Sequence, residues 1–111
     1  MTFLPPRIKS KSGKAESGKR SPAHRKWIRG FGCSVPGCDG RPIECAHVRI
    51  GTDGGVGAKP SDRWCIALCR SHHSLQHTLG EASFETRFGI EMKELAEEFF
   101  RRSPHRHKLE A

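Results

Sequence analysis

Two pairs of metal-binding side chains constrain this chain more than anything else in it. Cys33 and Cys38 flank Ser-Val-Pro-Gly, and thirty residues later Cys69 and His72 are separated by two residues. Pro36 and Gly37 predict a tight turn between the first two thiols, and the second pair sits at the start of a predicted helix. Three thiolates and an imidazole from two distant segments meet what a closed tetrahedral zinc site requires. Cys33, Cys38, Cys69 and His72 are therefore expected to hold a structural Zn²⁺, whose binding would be part of the folding free energy. Cys45 and Cys65 fall in predicted strands, where small buried residues are common, and are left outside that site.

A staple is needed. With 111 residues, 34% of them hydrophobic and no tyrosine, the chain has room for one domain and a modest core. Five cysteines, an odd number, and no apolar leader point to a reducing compartment and metal ligation over disulfides, so the expected location is cytoplasmic. No stretch is long and apolar enough to span a bilayer. The absence of Cys-x-x-Cys argues against a thiol oxidoreductase.

Charge is unevenly spread. Residues 1–30 carry nine Lys/Arg against the single acid Glu16, whereas the remainder holds eleven of each sign, so the net charge of +8 resides in the N-terminal part. Residues 1–22, rich in Lys, Ser, Gly and Pro, read as a disordered basic arm suited to a polyanion. Residues 23–80 read as the domain proper and 81–111 as a C-terminal helical extension and tail.

Within the domain, Ala23–Arg29 is predicted as a short basic helix carrying Lys26 and Arg29, and Ile43–Ile50 as a strand. Gly51–Asp62 is expected to be a long Gly-rich loop, Arg63–Leu68 a second strand and Cys69–Leu79 a helix. Two further helices are expected over Glu81–Phe88 and Glu91–Arg102, the latter with Met92, Leu95, Ala96 and Phe99 facing the core. Strand alternation sets His47 and Arg49 on one side and Ala46, Val48 and Ile50 on the other. His47 is suited to accept a proton from water and Arg49 to hold a phosphate. On the helix, His72 and His73 point about 100° apart, so an imidazole at 72 turned to zinc leaves His73 facing elsewhere, on one face with His77. Lys59, with Gly54, Gly55 and Gly57, would let backbone and charge approach a phosphate.

The order of knuckle, strand with His47, Gly-rich loop, short strand and Leu68-Cys69-Arg70-Ser71-His72-His73 with His77 on a helix resembles an HNH nuclease with an embedded zinc site. Ala46-His47-Val48-Arg49 and Gly55-Val56-Gly57-Ala58-Lys59-Pro60-Ser61-Asp62 look closest to the small phage- and prophage-associated members, including the recombination-enhancing kind. The resemblance covers Ala23 to Gly80. It implies an α+β fold with a ββα-metal core, a zinc knuckle and added C-terminal helices, in a protein of a bacterial host cell or phage. It makes His47 the general base, His73 a ligand of one catalytic Mg²⁺ or Mn²⁺, and His77 a second ligand or phosphate contact. DNA is the implied partner, with Lys26, Arg29, Arg49 and Lys59 as contacts and no evident base-reading element.

Two positions depart from the family pattern: Ala46 stands where an Asp or His also binds metal, and Trp64 where the asparagine is expected. Asp62 is the nearest side chain able to compensate, by orienting the His47 segment or by touching the metal; as a turn acceptor after Pro60 it has a simpler use. The alternative function is a catalytically inactive zinc-stabilised DNA-binding module in phage recombination or packaging.

Overall fold

The computed structural model describes residues 19–52 and 59–110. The expectations for the arm before Lys19 and for Gly54, Gly55 and Gly57 lie outside the described residues. The architecture is mixed α+β: helix α1 (Pro22–Ile28), strands β1 (Ile43–His47) and β2 (Cys65–Cys69), and helices α2 (Arg70–Leu79), α3 (Glu81–Phe88) and α4 (Met92–Arg102), with a 3₁₀ turn at Arg106–Lys108. No helix among the described residues is long and apolar enough to cross a membrane.

The strands pair antiparallel, from Ile43 opposite Cys69 to His47 opposite Cys65. Every residue of β2 is buried, because the strand is covered on both faces. Ile66 and Leu68 join Val35, Ala46, Val48, Phe84, Ile90, Met92 and Ala96 in one core, while Cys65, Ala67 and Cys69 join Ile28 and Ile43 in the other. A two-stranded sheet is not stable by itself in water, so this double cover is what holds the hairpin. Helix α1 has seven residues, too few to persist alone. The Ser21 side chain caps it by accepting from His24 N at 3.1 Å, and Trp27 makes edge contacts with Phe31 and Phe99 at 4.8 and 6.2 Å that tie it to α4.

Three details differ from the sequence reading. β1 stops at His47: Val48 N still donates to Trp64 O at 2.8 Å, but the two backbone N–H groups after it are taken by a side chain, Glu81 accepting from Arg49 N and Ile50 N at 2.9 Å each. Ile50, expected on the packed side, is consequently exposed. Lys19–Ser21 are fixed ahead of the anticipated boundary, with Lys19 O accepting from Asp62 N at 2.8 Å and Arg20 donating to Pro60 O at 2.6 Å. The core-facing stripe expected of α4 is present, with Met92 and Ala96 fully buried in the same core as the strands and Phe84 of α3 beside them.

Candidate metal centre and active-site cleft

Cys69 joins the last rung of the hairpin to a cluster of three cysteines and a histidine. Its extended backbone ends β2, and its Sγ caps α2 by accepting from His72 N at 3.5 Å. One turn into the helix, His72 Nδ1 lies 3.3 Å from Cys69 Sγ, 3.4 Å from Cys38 Sγ and 3.5 Å from Cys33 Sγ. Cys38 and Cys69 Sγ are 3.9 Å apart. All four ligand atoms fall within 4.8 Å of one another, so the cluster can hold a metal ion. Burial pushes the Cys33 thiol up. Burial acts the same way on Cys69, but hydrogen bonds from the His72 backbone N–H and neighbouring thiols outweigh it and bring that thiol below its ordinary value, toward the ligating thiolate. Gly40 completes the knuckle, donating from its N to Cys38 Sγ at 3.3 Å. A Cβ there would stand 3.0 Å from Cys69 Sγ.

Cys45 and Cys65 do not enter this cluster. Cys65 is fully buried, and burial holds its thiol well above the ordinary value, in keeping with a packing role.

With His72 among the thiols, His73 turns the other way, and its Nδ1 lies 2.8 Å from Glu44 Oε1. Glu44 also accepts from Arg70 Nε at 3.0 Å, and these hydrogen bonds, His73 first, hold its carboxyl below the usual range. An ionised carboxylate only accepts, so the shared proton belongs to His73 Nδ1, and in the neutral ring the lone pair is on Nε2. His77 follows at a ring-centroid distance of 5.0 Å. The positive φ of 87° at Gly80, in a region open essentially only to glycine, then turns the chain into α3.

His47, His73 and His77 line one cleft of about 800 Å³ together with Arg25, Arg29, Arg49 and Lys59. Among the described residues its two acids are already engaged, Glu44 by His73 and Arg70 and Glu81 by backbone N–H groups, and the rest of that lining is basic in its charge. Gln76, buried in α2, donates to His47 O at 3.2 Å and ties the helix to the end of β1. Lys26, expected as a contact, is exposed on α1 and is not among the described residues lining the cleft.

Asp62 lies behind His47 and not with His73 and His77. Its Oδ1 is 2.8 Å from His47 Nε2, and its Oδ2 accepts from Ser21 N at 2.7 Å. Trp64, at the position of the expected asparagine, instead packs against the core beneath the Arg63 guanidinium. Glu44 and Arg25 were missed by sequence reasoning. The signal for Glu44 lies in strand register, which sets it opposite Leu68, two residues before α2 begins at Arg70, and register emerges only from the pairing.

A family model described as "Protein of unknown function (DUF968)" matches residues 6–105, and the chain belongs to that family. It is similar to the "Uncharacterized protein YdfU" of Escherichia coli (strain K12), with 33% identity over 84 residues. That match takes in 70% of this chain and 24% of the relative, so the chain spans about a quarter of the relative's length. No solved structure matches the chain.

Proposed function

We propose that this chain is a metal-dependent DNA endonuclease of the HNH (ββα-metal) type, with β1, β2 and α2 as its catalytic core. The observation that carries the reading is the convergence of His47, from the strand, with His73 and His77, from the helix, on a single basic cleft. In this reading Cys33, Cys38, Cys69 and His72 hold a structural Zn²⁺. Tetrahedral zinc with Zn–S of about 2.3 Å and Zn–N of about 2.0–2.1 Å sets ligand separations of about 3.6–3.8 Å. The separations of 3.3–3.9 Å support that geometry.

His73 and His77 are the side chains that would hold the catalytic Mg²⁺ or Mn²⁺, which when bound stabilises charge on the phosphate and the leaving 3′ oxygen. Glu44 behind His73 is the kind of outer carboxylate that orients metal-binding imidazoles. His47 takes the proton of the attacking water, and Arg29, Arg49 and Lys59 bind neighbouring phosphates. The products are 5′-phosphate and 3′-hydroxyl ends.

A specific observation favours the second reading, a zinc-stabilised DNA-binding module without catalysis: no group of three or more ligands among the described residues converges at His73 and His77. Plasmid incubated with the protein and Mg²⁺ or Mn²⁺, beside His47→Ala, separates the two. Nicking lost on substitution is expected; equal plasmid binding with no cleavage by either protein would leave the binding module.

A further inference from the structure

The side of His47 turned away from the cleft is as constrained as the side turned toward it. Asp62 is fully buried, yet four donors from outside its own segment approach its carboxylate. His47 Nε2 and Ser21 N make the hydrogen bonds already described, and Arg25 Nε and Arg20 Nη1 stand 3.1 and 3.5 Å away. The Arg25 contact is one of charge, since its Nε lacks the alignment of a hydrogen bond.

We infer that Asp62 is the positioning residue of His47: it fixes the imidazole as the Nε2–H tautomer and so presents the Nδ1 lone pair as the proton acceptor, with Ser21 and Arg25 holding the carboxylate in place. The inference rests on the nuclease reading for its catalytic consequence, and on geometry alone for the tautomer. A carboxylate can only accept, so the proton in the 2.8 Å contact must reside on the ring. Burial by itself would raise the Asp62 carboxyl, but the hydrogen bonds from His47 and Ser21 and the Arg25 charge overcome it and keep the group ionised. A buried anion without partners would be costly, and the Lys19–Arg25 segment supplies those partners.

The competing assignment is a metal ion held by His47, Asp62 and Cys65, whose ligand atoms also lie within 4.8 Å of one another. A cation there would sit against two guanidinium groups and would have to displace the Nε2 proton from a hydrogen bond already at 2.8 Å. Hydrogen bonding accounts for the cluster without it.

The test uses the full chain loaded with zinc. Long-range ¹H–¹⁵N correlation spectra of the wild type should show His47 protonated at Nε2, and a ring protonated at Nδ1 overturns the inference whether or not the protein cuts DNA. Asp62→Asn offers an amide that can donate to Nε2, so it should shift the ring toward the Nδ1–H form. Nicking should fall by roughly 10⁴-fold, as when an imidazole is held in the wrong tautomer, with plasmid affinity and zinc content unchanged. Unchanged tautomer and unchanged nicking in the variant overturn it, as does a second equivalent of zinc that Asp62→Asn abolishes. Failure of the wild type to nick would count against the nuclease reading and leave the tautomer result standing.

Discussion

Glu44 on β1 and His73 on α2 share a hydrogen bond of 2.8 Å across the junction of strand and helix. The contact is reached only because Cys69 caps the helix at the point where the hairpin ends, which sets the rotation of the first turn and sends His72 and His73 to different destinations. Outer-shell partners of this kind typically contribute 10–100-fold in metal affinity or activity. Glu44→Gln is therefore expected to lower Mn²⁺-dependent nicking by about that factor, with the Mn²⁺ requirement displaced upward and zinc content unaltered. An identical Mn²⁺ titration for variant and wild type would remove Glu44 from the site.

The knuckle should tolerate no side chain at Gly40. A Cβ there meets Cys69 Sγ at 3.0 Å and Cys38 Sγ at 3.4 Å, and a ligating sulfur cannot move aside without leaving its metal. Gly40→Ala is expected to purify with less than one equivalent of zinc and to melt at a lower temperature, measured by metal analysis and thermal scanning. Gly32→Ala, where nothing lies within 4 Å, serves as the matched control. Full zinc occupancy in Gly40→Ala would argue against the assigned cluster.

Acid should weaken the fold through His24. Burial is the main reason that its pKa drops from 6.5 to about 4, opposed in part by Asp62, and its Nδ1 pairs with Ser103 Oγ at 2.8 Å. The folded pKa lies below the unfolded one, so this contribution is intact above pH 6.5 and is lost as pH falls toward 4, reaching about 3 kcal/mol at full protonation. The carboxyl of Asp62, held below 3.8, acts with the same sign at lower pH. Melting temperatures followed from pH 7 to pH 4 should fall more steeply for wild type than for His24→Gln. Parallel curves would mean that the ring is not kept neutral.

Phosphate binding at the cleft should appear in the salt dependence of DNA affinity. Each lost phosphate contact reduces the slope of log affinity against log salt by about 0.9 on duplex DNA. Arg29→Ala and Lys59→Ala, both on the cleft wall, should each show this, with Lys26→Ala changing the slope less. Equal slopes for all three variants would detach DNA binding from the cleft.

The convergence of Cys33, Cys38, Cys69 and His72 was legible because ligand chemistry is carried by residue type and spacing, so the four could be paired before any fold was known. Helix α3 was legible for a similar reason, with Gly80 and Gly89 marking its two ends. Properties that depend on register and long-range pairing were hidden. Nothing in the order of residues brings Asp62 to Ser21, forty-one positions away, and the capture of Arg49 and Ile50 by Glu81 is equally non-local. Asp62 was singled out as a side chain able to orient the His47 segment; the contact it makes depends on where the loop before β2 returns.

The enclosure of Cys65–Cys69 on both sides has a consequence for variation. In an ordinary half-exposed strand every second position is free to drift, but here all five face protein. A saturation library should find that Cys65–Leu68 accept only small or closely shaped apolar replacements and that Cys69, as a proposed zinc ligand, accepts none, with innovation confined to the surfaces that flank the strand.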